Sequence, residues 1–332
     1  MTTKFAQQTS YTRLPNGTDV YALKVKGSGV VVANVALPGG DVMMREVVGL
    51  KAMFADVFPS ATKTKSKAKV KERFDALGAQ VGVSVGKEHV VFSLTVLPAN
   101  FDEALELLFE LLTQMKIYPA EWEASRVRIG AAVLESAEDT SRQANIALLR
   151  ALYDKKHPHY ASTTADLYTK LQAVHKESLL SAIEKMNTGI GALVTVVGDM
   201  VPSKAVSIVS SVAKSLEEEA QKGVSVEVSA LTNTDTVHHI VSIQDKENVN
   251  TLTGIPCMVT VSSDAYVPLS LAVRALGGSS TGRLFNELRT KQSLTYGAYA
   301  SLDAYSKTYP GHLRTSAIFP NNLFAKGRAA MC

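Results

Sequence analysis

Seven histidines are the first residues whose type could do chemistry, because a hydrolytic zinc site needs neutral imidazoles or carboxylates converging at about 2 Å from the metal. They are scattered. His157-Pro158-His159 falls in a turn where proline blocks a helical face, and His238-His239 sits in a strand pattern that points the two rings to opposite faces. No H-E-x-x-H, H-x-x-E-H or C-x-x-C spacing occurs, so loop or surface positions are expected for all seven. A second candidate is Gly277-Gly278-Ser279-Ser280-Thr281-Gly282, set before a helix whose free N–H groups could hold an anion or a peptide carbonyl. It has neither the lysine of a P-loop nor the G-x-S-x-G elbow, and a loop with a hydroxyl N-cap is the simpler reading. The third is the run Lys63, Lys65, Lys67, Lys69, Lys71 and Arg73, which has no interleaved aromatic for base stacking and reads as a solvated helix start.

The elements that would position these residues follow from periodicity. Residues 18–25 and 29–37 are β-rich and separated by Lys26-Gly27-Ser28, which predicts a hairpin ending at Pro38-Gly39-Gly40. Leu50, Met53, Phe54 and Val57 have helical spacing, and Ser66 caps a second helix carrying Val70, Phe74 and Leu77 before Gly78 stops it. Strands over 80–85 and 89–97 flank a Gly86-Lys87 turn, Pro98 ends the second, and 101–112 is amphipathic. Residues 119–151 read as helix with a break near Glu138-Asp139-Thr140, 163–186 as two shorter helices, 191–198 as a buried strand and 201–216 as a helix. The polar stretch 217–223 is the expected linker. Beyond it, strands are expected over 236–244, 256–262, 295–302 and 311–318, with helices over 267–276 and 284–291.

That order repeats. Leu77-Gly78-Ala79-Gln80 opens a strand pair ending Val96-Leu97-Pro98-Ala99-Asn100, and Leu294-Thr295-Tyr296-Gly297 opens one ending Ile318-Phe319-Pro320-Asn321-Asn322. The reading is α+β, with two tandem related domains over 1–222 and 223–332, each a mostly antiparallel sheet packed with helices. Only twelve residues follow Pro320, so the second domain is expected to be C-terminally truncated.

Composition closes off other classes. At 332 residues, 46% hydrophobic and 20% charged, the chain can bury a sizeable core and lies far from disordered composition. The longest apolar stretch, 189–197, is nine residues, against the ~20 a membrane-spanning helix needs. The N-terminus has no apolar segment of the secretory kind, which points to the cytoplasm. Two cysteines, Cys257 and Cys332, are too few for a disulfide framework, and a net charge of +4 does not argue for a nucleic-acid partner.

One further pattern carries a resemblance. Gly49-Leu50-Lys51-Ala52-Met53-Phe54-Ala55-Asp56, followed by Thr62-Lys63-Thr64-Lys65-Ser66, is similar in frame to the G-L-x-H-x-x-E-H motif of the pitrilysin/insulinase superfamily of inverzincin metallopeptidases, in the branch of mitochondrial processing peptidase and its two-subunit bacterial relatives. The resemblance implies a metallopeptidase half-clamshell and covers essentially the whole chain. The frame matches and the ligands do not. Ala52 and Asp56 stand at the two histidine positions, Ala55 at the general-base glutamate, and ungapped counting puts Ala132 at the third ligand. Glu135, three residues on, is the only nearby carboxylate that could substitute, and with Asp56 it makes two groups where a zinc and its base need four. No cofactor is expected on this chain.

The family's other half-site is present. The arginine and tyrosine of its R-x6-Y pattern are matched by Arg289 and Tyr296, which in the family bind the substrate backbone, the tyrosine helping to stabilise the oxyanion. The resemblance therefore implies a non-catalytic subunit that closes a peptide chamber and lends Arg289 and Tyr296 to a zinc-bearing homologous partner in a heterodimer. An unfolded peptide would be the substrate, and Pro38, Gly39, Gly40, Gly277 and Gly278 would lie beside it, with the strand ending at Pro38 as an edge to which it adds. The alternative is a scaffold or peptide-holding subunit with no part in proteolysis, as the core subunits of the respiratory bc complex illustrate. Nucleic-acid binding through the lysine run ranks last.

Overall fold

The computed structural model describes residues 8–40, 44, 49–187, 191–216, 236–304, 306, 307 and 309–331. The first elements are β1 (Ser10–Arg13), β2 (Asp19–Lys24), β3 (Val31–Pro38), α1 (Leu50–Val57), β4 (Ala61–Thr62), α2 (Lys67–Ala76), β5 (Gln80–Val85), β6 (His89–Val96) and α3 (Phe101–Gln114). Then come β7 (Met115–Lys116), α4 (Pro119–Glu135), α5 (Thr140–Leu152), α6 (Thr164–Gln172), α7 (Lys176–Met186), β8 (Leu193–Gly198) and α8 (Pro202–Val212). The last are β9 (Asn248–Pro256), α9 (Tyr266–Gly277), α10 (Arg283–Phe285), which runs on as a π-helix over Asn286–Lys291, β10 (Ala298–Asp303), β11 (His312–Pro320) and α11 (Phe324–Met331).

The chain forms two compact units, one of Met1–Gly130 with Thr169–Val224, the other of Ala131–Tyr168 with Ser225–Cys332. The chain passes between the units three times, after Gly130, Tyr168 and Val224, where a single boundary at 222 was expected. Residues 131–168 also go with the later part of the chain, because α5 packs on β9. The expected linker at 217–223 lies outside the described residues.

The first unit is built on a six-stranded sheet of order β1-β2-β8-β3-β6-β5. Alternation of buried and half-exposed residues along β3 follows from the two-residue period of a strand whose one face meets the core. Leu50, Met53, Phe54 and Val57 of α1 and the apolar stripe of α3 fill that core with Phe92 and Leu94 of β6. The expected hairpin of β2 and β3 does not form. β8 lies between them, parallel to β2 (Asp19↔Leu193) and antiparallel to β3 (Ala36↔Leu193). β3 is paired on its other side with β6, so it is a central strand and offers no edge to a peptide.

The second unit has a three-stranded antiparallel sheet of order β10-β11-β9. Its core gathers Leu288, Leu294, Ala298, Ala317 and Phe319. The repeat is visible in the ladders: β3 ends at a proline paired with the first residue of β6 (Pro38↔His89), and β9 ends at a proline paired with the first residue of β11 (Pro256↔His312). The strand expected over 236–244 is exposed chain without regular structure over 236–243, and the one expected over 256–262 is displaced to Asn248–Pro256. Asn248, Asn250 and Gly254 made the true strand look like a loop, since these residues are poor strand formers whose pairing with β11 decides the outcome.

Candidate functional site

In the first unit, α1 begins after Gly49, whose φ of 96° is left-handed and suits glycine. The buried stripe of α1 leaves positions 52, 55 and 56 off the core: Ala55 is exposed, while Ala52 and Asp56, one turn apart, are half-buried. Asp56 faces α4, where the Arg128 guanidinium donates to both carboxylate oxygens, Nη2 to Oδ2 at 2.6 Å and Nε to Oδ1 at 3.3 Å. Partial burial raises the Asp56 pKa, but hydrogen bonds from Arg128 and Ser125 and the charges of Arg128 and Lys67 outweigh it, so the carboxyl sits below the usual aspartate range. A guanidinium thus supplies the positive charge that Asp56 faces. With methyl groups at 52 and 55, the residues of this helix do not fit zinc, and among the described residues no group of three His, Cys, Asp or Glu side chains could hold a metal. Ala132 and Glu135 are exposed on the last turns of α4. Elemental analysis of the purified chain is expected to find no stoichiometric zinc at this locus; one tightly held zinc per chain, lost in Asp56→Ala, would contradict the ion-pair reading.

The segment after the motif is a local staple. Thr62 and Thr64 each donate a hydroxyl to Glu110 of α3 at 2.6 Å, and Lys65 Nζ joins the same carboxylate at 2.6 Å. Ser66 accepts from the Lys69 N–H and caps α2. Lys67 and Arg73 pair with Glu121 and Glu103, so half of the lysine-arginine run is neutralised by carboxylates. Burial raises the Glu110 pKa, yet the hydrogen bonds from Lys65, Thr62 and Thr64 and the Lys65 charge bring it below its ordinary 4.5. A depressed folded value contributes stability that is present above the unfolded value and lost as pH falls through the folded one. Thermal melts should therefore show Glu110→Gln destabilised at pH 7, with the gap to wild type shrinking once the pH passes below about 4.5. Equal gaps at pH 7 and pH 3 would contradict the assignment.

Pro38-Gly39-Gly40 is fastened rather than open. The Gly39 N–H donates to Glu88 O at 2.8 Å, and a Cβ on Gly40, whose φ is +67°, would stand 2.7 Å from Gly86 O and 2.8 Å from His89 N. These glycines let the chain lie against the β5–β6 turn.

In the second unit the structure brings Arg289 and Tyr296 together. Leu288 and Leu294 are buried in the core, and the Leu294 N–H donates to Leu288 O at 2.8 Å, which ties off a short loop. Thr295 Oγ1 accepts from the Gly297 N–H at 3.2 Å and donates to Ile318 O at 2.5 Å, so the residue before Tyr296 is locked to β11. Arg289 lies in the π-helical turn, and its guanidinium rests over the rings of Tyr296 and Phe285, at 4.5 and 4.9 Å from their centroids. Such turns are rare and occur frequently at functional sites. Tyr296 is 81% exposed. Among the described residues no carboxylate forms an ion pair with Arg289, so its fork is held flat by the two rings while its N–H groups remain available.

Gly277 and Gly278 lie at the end of α9. A Cβ on Gly277 would meet Ala300 N at 2.5 Å and the Tyr299 carbonyl carbon at 2.9 Å, which makes this glycine a close-packing position between α9 and β10. Gly278 is exposed at the helix end.

Periodicity missed a cluster in this unit. His157 and His159 lie in the expected turn and His312 opens β11, and all three are buried, at 2–5% exposure. The rings of His157 and Tyr153 stack at 4.2 Å, Tyr309 meets His157 and His159 edge-on, and Tyr153 Oη lies 2.8 Å from His312 Nδ1. Burial pushes the Tyr153 phenol well up and the His312 imidazole down. The signal available in sequence was Tyr153 four residues before His157, just past the end of α5.

Residues 51–164 match the profile of insulinase (peptidase family M16), and residues 173–321 that of the peptidase M16 inactive domain. An uncharacterized zinc protease of Rickettsia felis is 21% identical over 300 residues, covering 90% of this chain and 69% of that protein. The fold is that of a peptidase M16 inactive domain from Pseudomonas fluorescens (TM-score 0.83, 17% identity, 96% of this chain and 78% of that one). It is equally that of a protease from Helicobacter pylori (TM-score 0.77, 17% identity, 97% and 78%) and of the periplasmic protease PqqL from Escherichia coli (TM-score 0.75, 14% identity, 99% and 36%). With two M16 profiles matched in order along one α+β chain, insulinase over 51–164 and the M16 inactive domain over 173–321, the protein belongs to the pitrilysin/insulinase (M16) superfamily.

Proposed function

We propose that the chain is the non-catalytic subunit of a two-subunit zinc peptidase, closing a peptide chamber and presenting Arg289 and Tyr296 to a peptide held by a zinc-bearing homologous subunit. The observation that carries the reading is the Arg289–Tyr296 stack: a guanidinium flattened between two rings beside a solvent-facing phenol. A fork of N–H donors and a neutral hydroxyl, both preorganised, suit a peptide carbonyl whose oxygen gains negative charge during attack. A residue kept only for packing would not leave its phenol 81% exposed. Metal and base would both come from the partner, because α1 carries Asp56 in an ion pair and methyl groups at 52 and 55.

The test is reconstitution. The chain is mixed with a homologue that keeps the H-x-x-E-H motif, and co-elution and turnover of an unfolded peptide are measured. Turnover by the pair and by neither chain alone supports the reading. A stable pair whose rate is that of the zinc-bearing chain alone places the protein instead as a scaffold.

A further inference from the structure

Two stretches of the second unit meet in a group of titratable side chains that the proposed function does not use. Tyr153, His157 and His159 come from the end of α5 and the turn after it; Asp303, Tyr309 and His312 come from β10, the connection that follows and the first residue of β11. All are buried, at 0–7% exposure. The turn is held locally as well: the Asp154 carboxylate accepts from the Lys156 and His157 N–H groups at 2.8 and 3.1 Å, and Asp154, Lys155 and Lys156 face solvent.

The hydrogen bonds fix where the ring protons sit. The His159 N–H donates to His157 Nδ1 at 3.1 Å, so this nitrogen offers a lone pair and the ring proton is on Nε2. His312 Nε2 lies 3.4 Å from Asp303 Oδ2, and a carboxylate only accepts, so Nε2 is again the N–H and the Tyr153 hydroxyl donates to Nδ1 at 2.8 Å. Burial holds His312 below its ordinary 6.5 against the pull of Asp303, and the Arg314 charge acts in the same direction as burial. Asp303 is already shared, since Arg314 Nε lies 3.5 Å from the same Oδ2. Tyr309 meets His157 and His159 edge-on, His159 is 6.0 Å from His312 between ring centroids, and the Cys257 thiol, just past β9, lies near Tyr153. On α5 Arg150 turns instead to the Tyr160 ring and the Ala161 carbonyl. With Asp303 and Arg314 cancelling, a proton added to either imidazole is a net positive charge in a buried site.

We infer that this cluster is an acid-released latch: a proton on His157 or His312 lands on an Nδ1 that is already accepting, sets N–H against N–H in the turn or reverses the Tyr153 bond, and frees residues 153–160 and the end of α5 from β10 and β11. The other polar ties of α5 do not titrate in this range. Thr140 Oγ1 accepts from Asn250 Nδ2 at 2.6 Å and Asn145 Oδ1 from Arg314 Nη1 at 3.1 Å, so the helix opens from its C-terminal end, where Leu148 and Leu152 seat on Gly254. The sign follows from linkage: an imidazole kept neutral by the fold contributes stability that is present above about 6.5 and lost as pH falls below it, up to about tenfold in the opening constant per pH unit for each ring.

Amide exchange of the full chain at pH 7.5 and pH 5.5, corrected for the intrinsic rate, reads the opening. Protection at Tyr153, His157, His159 and Tyr160 is expected to fall by roughly tenfold for each histidine involved, while Gln143, whose N–H donates to Asp139 O near the start of α5, and the β9–β11 ladder keep theirs. His157→Asn combined with His312→Asn places an amide oxygen near each Nδ1, an acceptor that takes up no proton, and should remove the pH response while preserving protection at pH 7.5. Ring 15N spectra of the unsubstituted chain require no variant to fold, and at pH 7.5 both rings should carry their proton on Nε2. Equal corrected protection at the two pH values, a loss shared evenly with Gln143 and β9, an Nδ1–H form of either ring at pH 7.5, or a wild-type pH response in the folded double variant would each overturn the latch.

Discussion

If the proposed pairing holds, Tyr296→Phe is expected to lower kcat of the reconstituted pair by roughly 10²–10³ while KM and assembly stay close to wild type, because one preorganised oxyanion donor commonly contributes that much. The substitution is discriminating here. The Phe ring keeps the stack under Arg289, whose guanidinium rests 4.5 Å from the ring centroid, so the arginine fork and the loop tied by Leu288 and Leu294 are undisturbed. Only the hydroxyl is removed, and an interaction that strengthens as charge develops on oxygen is lost from kcat rather than from ground-state binding. Arg289→Ala should raise KM as well, since in the proposed arrangement the fork would also position the peptide. A wild-type rate for Tyr296→Phe in an active pair would remove the residue from the chemistry and favour the scaffold.

The Arg289–Tyr296 pair was picked out only through the resemblance, whose R-x6-Y pattern it matches; the two side chains meet because the span is short and the buried Leu288 and Leu294 fix both sides of it. The core face of α1 was legible for a similar reason, its four apolar residues lying on one helical stripe. What was hidden is non-local. Nothing between Lys24 and Val31 announces that β8, some 170 residues later, will part β2 from β3, and without it the pair reads as a hairpin. The displaced β9 shows the same limit, since Val-His-His-Ile-Val has the β-branched character of a strand and pairs with no strand among the described residues, whereas the Asn- and Thr-rich Asn248–Pro256 is held by the full length of β11. His312 joins Tyr153 across 159 residues, a contact that no spacing rule addresses.

Gly277→Ala separates two roles for the glycine-rich segment, and its expected effect is on folding. The added Cβ would stand 2.5 Å from Ala300 N and 2.9 Å from the Tyr299 carbonyl carbon, both backbone atoms of a strand paired along its length with β11. Neither side can swing away as a flexible side chain would, so α9 must lift from β10. Overpacking of this kind costs up to about 3 kcal/mol, which corresponds to a fall of roughly 6–12 °C in Tm. Lifting α9 would also disturb the site through a short chain of contacts. A Cβ on Gly282, which leads into α10, would lie only 2.9 Å from Gly277 Cα; the packing at Gly277 therefore sets where the helix begins that carries Phe285 and then Arg289. Differential scanning fluorimetry with a peptide titration on the same protein reads both consequences. A peptide contact at Gly277 predicts weaker binding at unchanged Tm; close packing predicts a lowered Tm for the free chain, with turnover of the pair falling further than the folded population does, because the start of the helix that carries Arg289 has shifted.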